Sequence, residues 1–194
     1  MSMKLFPKGT LLSRKQGAGS PFKPVDAEEA LSQVQYVMLY FSAHWCPPCR
    51  MFTPQLKSFY ETHHKTKSLE VVFVSMDNTE NEMNDYFKNA HGDWLSLTYT
   101  DAKQVSQSLS RTFGLYSIPS LLLFKTVRTP AGETEFSIIT TNARSMVPID
   151  PAAESFPWEN ADALIKEQQK ATMRKVLLGG VIAVGLFVVY KMLN

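Results

Sequence analysis

Cysteine is scarce in this chain: two residues of 194, Cys46 and Cys49. A secreted disulfide scaffold draws on several cysteines at wider spacings, so no structural disulfide framework is on offer. Both sulfurs lie in one C-x-x-C, which suits a reducing compartment where a disulfide is a step in a cycle. Charge of one sign is also lacking. A formal net charge of +2, with no basic cluster interleaved by aromatics, excludes a nucleic-acid partner. The segment from Met1 to Pro7 carries a charge but no long apolar stretch, so a secretory signal is not expected. Internal repeats and low-complexity tracts are missing too. What remains is an ordinary globular composition, 44% hydrophobic and 20% charged, sufficient for one self-contained core plus an appendage.

Strand-like and helix-like patterns alternate along the chain and predict an α/β fold on a central sheet. Residues 5–22, with Gly9, Gly17, Gly19 and Pro21, predict short strand or loop structure. Asp26 is placed to cap a short helix reaching Gln33. Val34 to Ser42 is nearly continuous in apolar residues, as a central strand buried on both faces requires. A helix then opens at Cys46 and runs to about His64, with Pro47 and Pro48 in its first turn, where a missing N–H costs nothing. Pro54 is expected to kink it. Further strands are predicted at Leu69–Ser75, Ser96–Tyr99, Ser120–Lys125 and Glu135–Thr141, the last two joined by a turn through Pro130-Ala131-Gly132. Further helices are predicted from Asn78 or Thr79 to about Ala90, and from Asp101 to Phe113 with Gly114 as C-cap. Pro148, Pro151 and Pro157 are expected to break up the next stretch, and a helix from Ala161 to Lys170 to lead into an apolar tail.

Disulfide exchange needs a thiolate nucleophile and a second thiol near enough to resolve the mixed disulfide. A pair separated by two residues, the first at a helix N-terminus, meets both demands. Unpaired N–H groups and the helix dipole favour negative sulfur on Cys46. Cys49, one turn further in, is expected to be more buried and protonated. Cys46 is therefore the expected attacking thiol and Cys49 the resolving one. Half of a zinc site is the competing reading. Only His44, His63, His64 and His91 could complete it, and none supplies a second pair at the usual spacing, so no metal is expected. Ile118-Pro119 precedes a core strand. A cis bond at a tight approach and an ordinary proline at a strand start both fit it, and the sequence leaves the two open.

The run Tyr40-Phe41-Ser42-Ala43-His44-Trp45-Cys46-Pro47-Pro48-Cys49-Arg50, followed by Phe52-Thr53-Pro54, closely resembles the tryparedoxins. These are dithiol proteins of the thioredoxin superfamily, and the nucleoredoxins are their relatives. Further matches are Phe59-Tyr60-Glu61, Val71 to Ser75, Ser117-Ile118-Pro119-Ser120, Asn142-Ala143-Arg144 and Phe156-Pro157-Trp158. The resemblance covers roughly Leu5 to Asn160. It implies a thioredoxin fold, a central mixed β-sheet flanked by helices, over residues 1–160. It also implies a carrier without metal or prosthetic group, reduced by trypanothione and oxidised by peroxiredoxin-type peroxidases and other disulfide proteins. By the same resemblance, Trp45, Pro47, Pro48, Arg50, Ile118, Pro119 and Arg144 line the substrate face, and the catalytic domain is monomeric. Ordinary thioredoxins carry a buried Asp six residues before the first cysteine, whereas this chain has Tyr40, as the tryparedoxins do. Two departures from the tryparedoxin pattern concern the segment after the third strand. Met76 stands where the family has tryptophan, and Asn78 where it has an acidic residue. Both bear on partner preference.

Residues 161–175 read as a helical linker and 176–193 as a membrane anchor. Val176 to Tyr190 is fifteen residues without a charged side chain, flanked by Arg174-Lys175 and Lys191. As a helix it spans about 22 Å, short of a ~30 Å hydrocarbon core unless the flanking lysines snorkel. Its apolar character all round argues against docking on the domain by one stripe. The sequence thus predicts a single transmembrane helix acting as a tail anchor, with the catalytic domain in the cytosol. The mitochondrial outer membrane is the expected site, and endoplasmic reticulum and peroxisome are alternatives. Two rival functions remain: a nucleoredoxin- or thioredoxin-like reductase served by another donor, and a membrane-anchored redox adaptor.

Overall fold

Two apolar runs form the middle of one sheet, because only a strand covered on both faces can hold such a run out of water. In the computed structural model, which describes residues 2–15 and 22–176, the elements follow in order. They are β1 (Ser2–Met3), β2 (Leu11–Arg14), β3 (Lys23–Asp26), α1 (Ala27–Ser32), β4 (Tyr36–Ser42), α2 (Pro47–His63), β5 (Leu69–Ser75) and α3 (Glu80–Ala90). Then come β6 (Leu95–Leu97), α4 (Tyr99–Phe113), β7 (Ser120–Arg128), β8 (Thr134–Thr140) and α5 (Ala143–Ile149). The chain divides into two compact units, Met1–Glu159 and Asn160–Asn194. Within the second, a helix occupies 161–176. Among the described residues no helix is long and apolar enough to cross a membrane. Val176 apart, the span expected at 176–193 lies outside the described residues.

Among the described residues the sheet has eight strands in the order β1-β8-β7-β4-β5-β6-β2-β3. β4, β5 and β6 run parallel, and the remaining pairings are antiparallel, so the sheet is mixed. On one face Leu39, Phe41, Val72, Val74, Leu122 and Phe124 build a buried cluster with residues of α4. On the other, Phe73 packs against the rings of Tyr40, Tyr86, Phe87 and His91. The one buried ion pair, among those described, joins Arg14 to Glu70 at 2.6 Å, and Tyr60 Oη donates to the same carboxylate at 2.8 Å.

Register determines what meets at the sheet's end. Ser42 pairs with Ser75 in parallel, so the loops leaving β4 and β5 emerge side by side. β7 runs the other way, with Ser120 opposite Phe41, so the residues entering β7 arrive at that same edge. Trp45-Cys46, Met76-Asp77-Asn78 and Ile118-Pro119 are brought together from three distant stretches of chain.

Several expectations need correction. Ser2–Met3 and Lys23–Asp26 are edge strands, each too short to show a period. The α4 cap is Thr98, whose side chain accepts from Asp101 N, so the helix begins at Tyr99 and β6 ends at Leu97. The stretch with Pro148 holds a helix, α5. Pro148 falls in its last turn, where the ring removes a single N–H and leaves the turns before it intact.

Candidate functional site

Cys46 is the N-cap of α2, with φ −90° and ψ 110°, and Pro47 and Pro48 fill the first two helical positions. Prolines there are pre-set for helix, but they carry no N–H. The first turn therefore offers fewer donors to the Cys46 sulfur than the motif alone suggests, and Cys49 is the first residue in it to own one. Both cysteines are free thiols, and both are buried. The Cys46 thiol donates to Ile118 O at 3.7 Å. Ile118-Pro119 is cis, as is Phe156-Pro157. Cys49 lies one turn deeper and is fully buried. Burial pushes its thiol up to about 12, and the hydrogen bond with Cys46 adds to the rise; Ser42 and the Ala43 backbone act in the opposite sense.

The loop between β4 and α2 is tied to the loop after β5. Trp45 Nε1 donates to Met76 O at 3.2 Å, and His44 N donates to Asp77 Oδ1 at 2.7 Å. Asp77 Oδ2 accepts from Ser75 Oγ at 2.8 Å, and Lys103 Nζ donates to Asp77 O. Arg50 spends one guanidinium nitrogen on His44 O at 2.6 Å. Burial raises the Asp77 carboxyl above its ordinary range, although the His44 N–H and Ser75 oppose the rise. A clamp of this kind fixes where Trp45 and Cys46 stand.

Around the thiol, Trp45 is 52% exposed. Pro47, Pro48 and Arg50 are exposed, Ile118 is half-buried and Pro119 is buried. Arg144 is exposed in the first turn of α5, the helix that packs on β7. A hollow of about 320 Å³ opens beside Cys46, walled by Trp45, Met76, Leu115, Tyr116 and Ile118. Tyr116 stands in solvent at 96% exposure. The sequence reading singled out Tyr40, whose hydroxyl lies behind Cys49, but missed Tyr116, Asp77 and the Ser42, Thr53 and Tyr86 hydroxyls. Their link to the site is spatial, and no spacing signal announces it. Among the described residues, no group of three or more His, Cys, Asp or Glu side chains is gathered as metal ligands would be.

The clamp yields a testable contrast. Asp77→Ala leaves the His44 N–H without its acceptor and should cost about 1–3 kcal/mol in urea denaturation at neutral pH. Asp77→Asn keeps an acceptor and removes a charge whose burial is unfavourable above the raised carboxyl value, so it should lose much less. Equal losses would show that the charge, and not the acceptor, holds the loop.

A family model described as "Thioredoxin-like" matches residues 33–129. The tryparedoxin of Trypanosoma brucei brucei is 46% identical over 124 residues, which cover 64% of this chain and 79% of that protein. The nucleoredoxin of Danio rerio is 36% identical over 137 residues, 70% of this chain but only 30% of that protein. A solved structure of tryparedoxin II complexed with glutathionylspermidine is similar with a TM-score of 0.64 and 38% identity, over 79% of this chain and 95% of that one. Proteins of this family use a redox-active cysteine pair and no prosthetic group. With that pair at the end of its central strand, the chain belongs to the thioredoxin-like family, as a thiol-disulfide oxidoreductase related to tryparedoxin and nucleoredoxin.

Proposed function

We propose that this chain is a dithiol carrier, reduced by trypanothione and oxidised by peroxiredoxin-type peroxidases and other disulfide-bearing proteins. The observation that carries the reading is the unequal placement of the two sulfurs. Cys46 stands at the mouth against Ile118 O, and Cys49 is closed off beneath it with its thiol pushed up to about 12. Similarity to a tryparedoxin complexed with glutathionylspermidine supports a glutathione–polyamine thiol as donor.

In this reading the Cys46 thiolate attacks a partner disulfide, forming a mixed disulfide and releasing one partner thiolate. Cys49 loses its proton and attacks Cys46 Sγ. The Cys46–Cys49 disulfide forms, and the second partner sulfur leaves with the proton Cys49 gave up. A dithiol donor then attacks Cys46, Cys49 departs and is reprotonated, and the donor's second thiol closes the donor disulfide. Trp45, Pro47, Pro48, Arg50, Ile118, Pro119 and Arg144 are proposed to meet the partner. Met76 in the wall of the hollow and Asn78 beside it favour a second reading, a nucleoredoxin- or thioredoxin-like reductase with another donor. Comparing reduction by trypanothione, by glutathione and by a thioredoxin reductase separates the two. A redox adaptor would be inert with all three.

We propose in addition that residues 176–190 hold the protein to a membrane, the mitochondrial outer membrane first among candidates, with the redox domain on the cytosolic side. The fifteen-residue uncharged run and a cysteine content suited to a reducing compartment support this. The full chain should resist alkaline carbonate extraction. Charges at Ala183 and Val184 should release it, since each costs about 2.5–3.5 kcal/mol at mid-bilayer. Extraction of the unaltered chain by carbonate would sink the idea.

The roles of the cysteines are tested by trapping. Cys46→Ser should reduce turnover to background, and Cys49→Ser should accumulate a mixed disulfide on non-reducing gels. Equal trapping by both variants would remove the assignment.

A further inference from the structure

The hollow of about 320 Å³ beside Cys46 is built mostly of apolar side chains. Trp45, Met76, Leu115, Tyr116 and Ile118 wall it, over a floor of Phe41, which is buried. Ser110 and Ser117 complete the wall, and no charged side chain lines it among the described residues. Polar groups at its rim are already engaged. Trp45 Nε1 donates to Met76 O, Leu115 N donates to Ser110 O at 3.0 Å, and Ser120 Oγ donates to Ser117 O at 2.7 Å. Asp77, next in chain to Met76, is fully buried and committed to His44 N and Ser75 Oγ. A ligand seated here finds no counter-charge and few hydrogen bonds, so it must be apolar to gain by entering.

Two of the walls are loosely held. Tyr116 is 96% exposed, its ring standing beside Gly114, where an added Cβ would lie 3.5 Å from Tyr116 Cε2. An aromatic face left in water forgoes its burial energy, and a partner that covers it recovers that energy. Met76 is half-buried and packs against the cluster of Ala43, Cys46 and Cys49. Its flexible thioether adapts to side chains of different outline. Being smaller than the tryptophan that stands there in tryparedoxins, it also leaves the hollow open. The volume sits at the lower end of small-molecule sites, roughly 300–1,000 Å³, which suits one large side chain and not a whole glutathione–polyamine conjugate.

We propose that the hollow is a client subsite: it takes one bulky apolar side chain (leucine, methionine or phenylalanine) that neighbours the reactive cysteine of a protein disulfide, and Tyr116 and Met76 determine that preference. This rests on the reading of Cys46 as the attacking thiol of a carrier for protein disulfides. The subsite is continuous with the thiol, because Cys46 donates to the backbone O of Ile118, whose side chain walls the hollow. With the neighbouring side chain seated, the client's sulfur is held against Cys46 Sγ before reaction. The Cys46 thiolate bonds to that sulfur, the client's S–S bond breaks, and its other sulfur leaves as a thiolate. The preference therefore acts on the first step.

The test uses symmetrical peptide disulfides, two copies of Gly-Xaa-Cys-Xaa-Gly joined through their cysteines, with Xaa alanine, leucine, phenylalanine or lysine. Symmetry makes attack on either sulfur equivalent. Reaction with the reduced full chain releases free peptide, measured by chromatography of quenched samples. Each rate is divided by the rate with glutathione, which removes the peptide's own reactivity. The leucine and phenylalanine peptides should react at least about tenfold faster than the alanine peptide, and the lysine peptide no faster than alanine. Tyr116→Ala, by opening the wall, and Met76→Trp, by filling the hollow, should each bring the leucine-to-alanine ratio to about threefold or below. A ratio compares two peptides on one protein, so a general loss of thiol reactivity cancels. At its exposure, Tyr116 can be replaced without disturbing the core. Equal rates for leucine and alanine in the parent, a preference for lysine, or the parent's ratio in either variant would overturn the proposal. A parent that reduces dithiobis-nitrobenzoate but none of the peptides would instead refute the carrier reading, and the proposal with it.

Discussion

Cys46 caps α2 at the rim of the site and Cys49 lies closed off beneath it, 5% against 0% exposed, and the rest of the site follows from that separation. A thiol at the helix cap meets partners, whereas a thiol one turn deeper loses the water that would stabilise its anion. Burial is the largest cause of the rise at Cys49. The core beneath it supplies neutral hydroxyls from Ser42, Thr53, Tyr40 and Tyr86. A carboxylate in that place would carry its own desolvation cost into the core; a hydroxyl does not.

Sheet register does the positioning. Parallel pairing of Ser42 with Ser75, and antiparallel pairing of Phe41 with Ser120, deliver three loops to one edge. Each loop contributes something different. The β4 loop carries the thiol, the β5 loop holds that loop through Asp77 and Met76 O, and the segment before β7 presents Ile118 O to the sulfur. Trp45 is thus held by its indole N–H while half its surface stays open, an arrangement suited to meeting a partner without reorganising first.

What could be read in advance was whatever is local and repetitive. Tyr36–Ser42 and Leu69–Ser75 declare themselves by apolar runs, the second interrupted only by Glu70, Gly114 by being a glycine at a helix end, where the structure has a left-handed φ of 65°, and the C-x-x-C by its spacing. The edge strands Ser2–Met3 and Lys23–Asp26 were hidden because two to four residues show no period, and α5 because Pro148 reads as a breaker wherever it sits. At the site, the pair and its proline loop were legible. Asp77, Tyr86 and Tyr116 were not, since each joins the cysteines only through contacts between residues far apart in sequence.

The central claim is that placement alone divides labour between two identical thiols. The most direct measurement is alkylation of the reduced, folded protein by iodoacetamide at neutral pH, with the label mapped by mass spectrometry. The account predicts carbamidomethylation at Cys46, with Cys49 unlabelled until the chain is unfolded. Labelling of Cys49 as fast as Cys46 in the folded protein would contradict it.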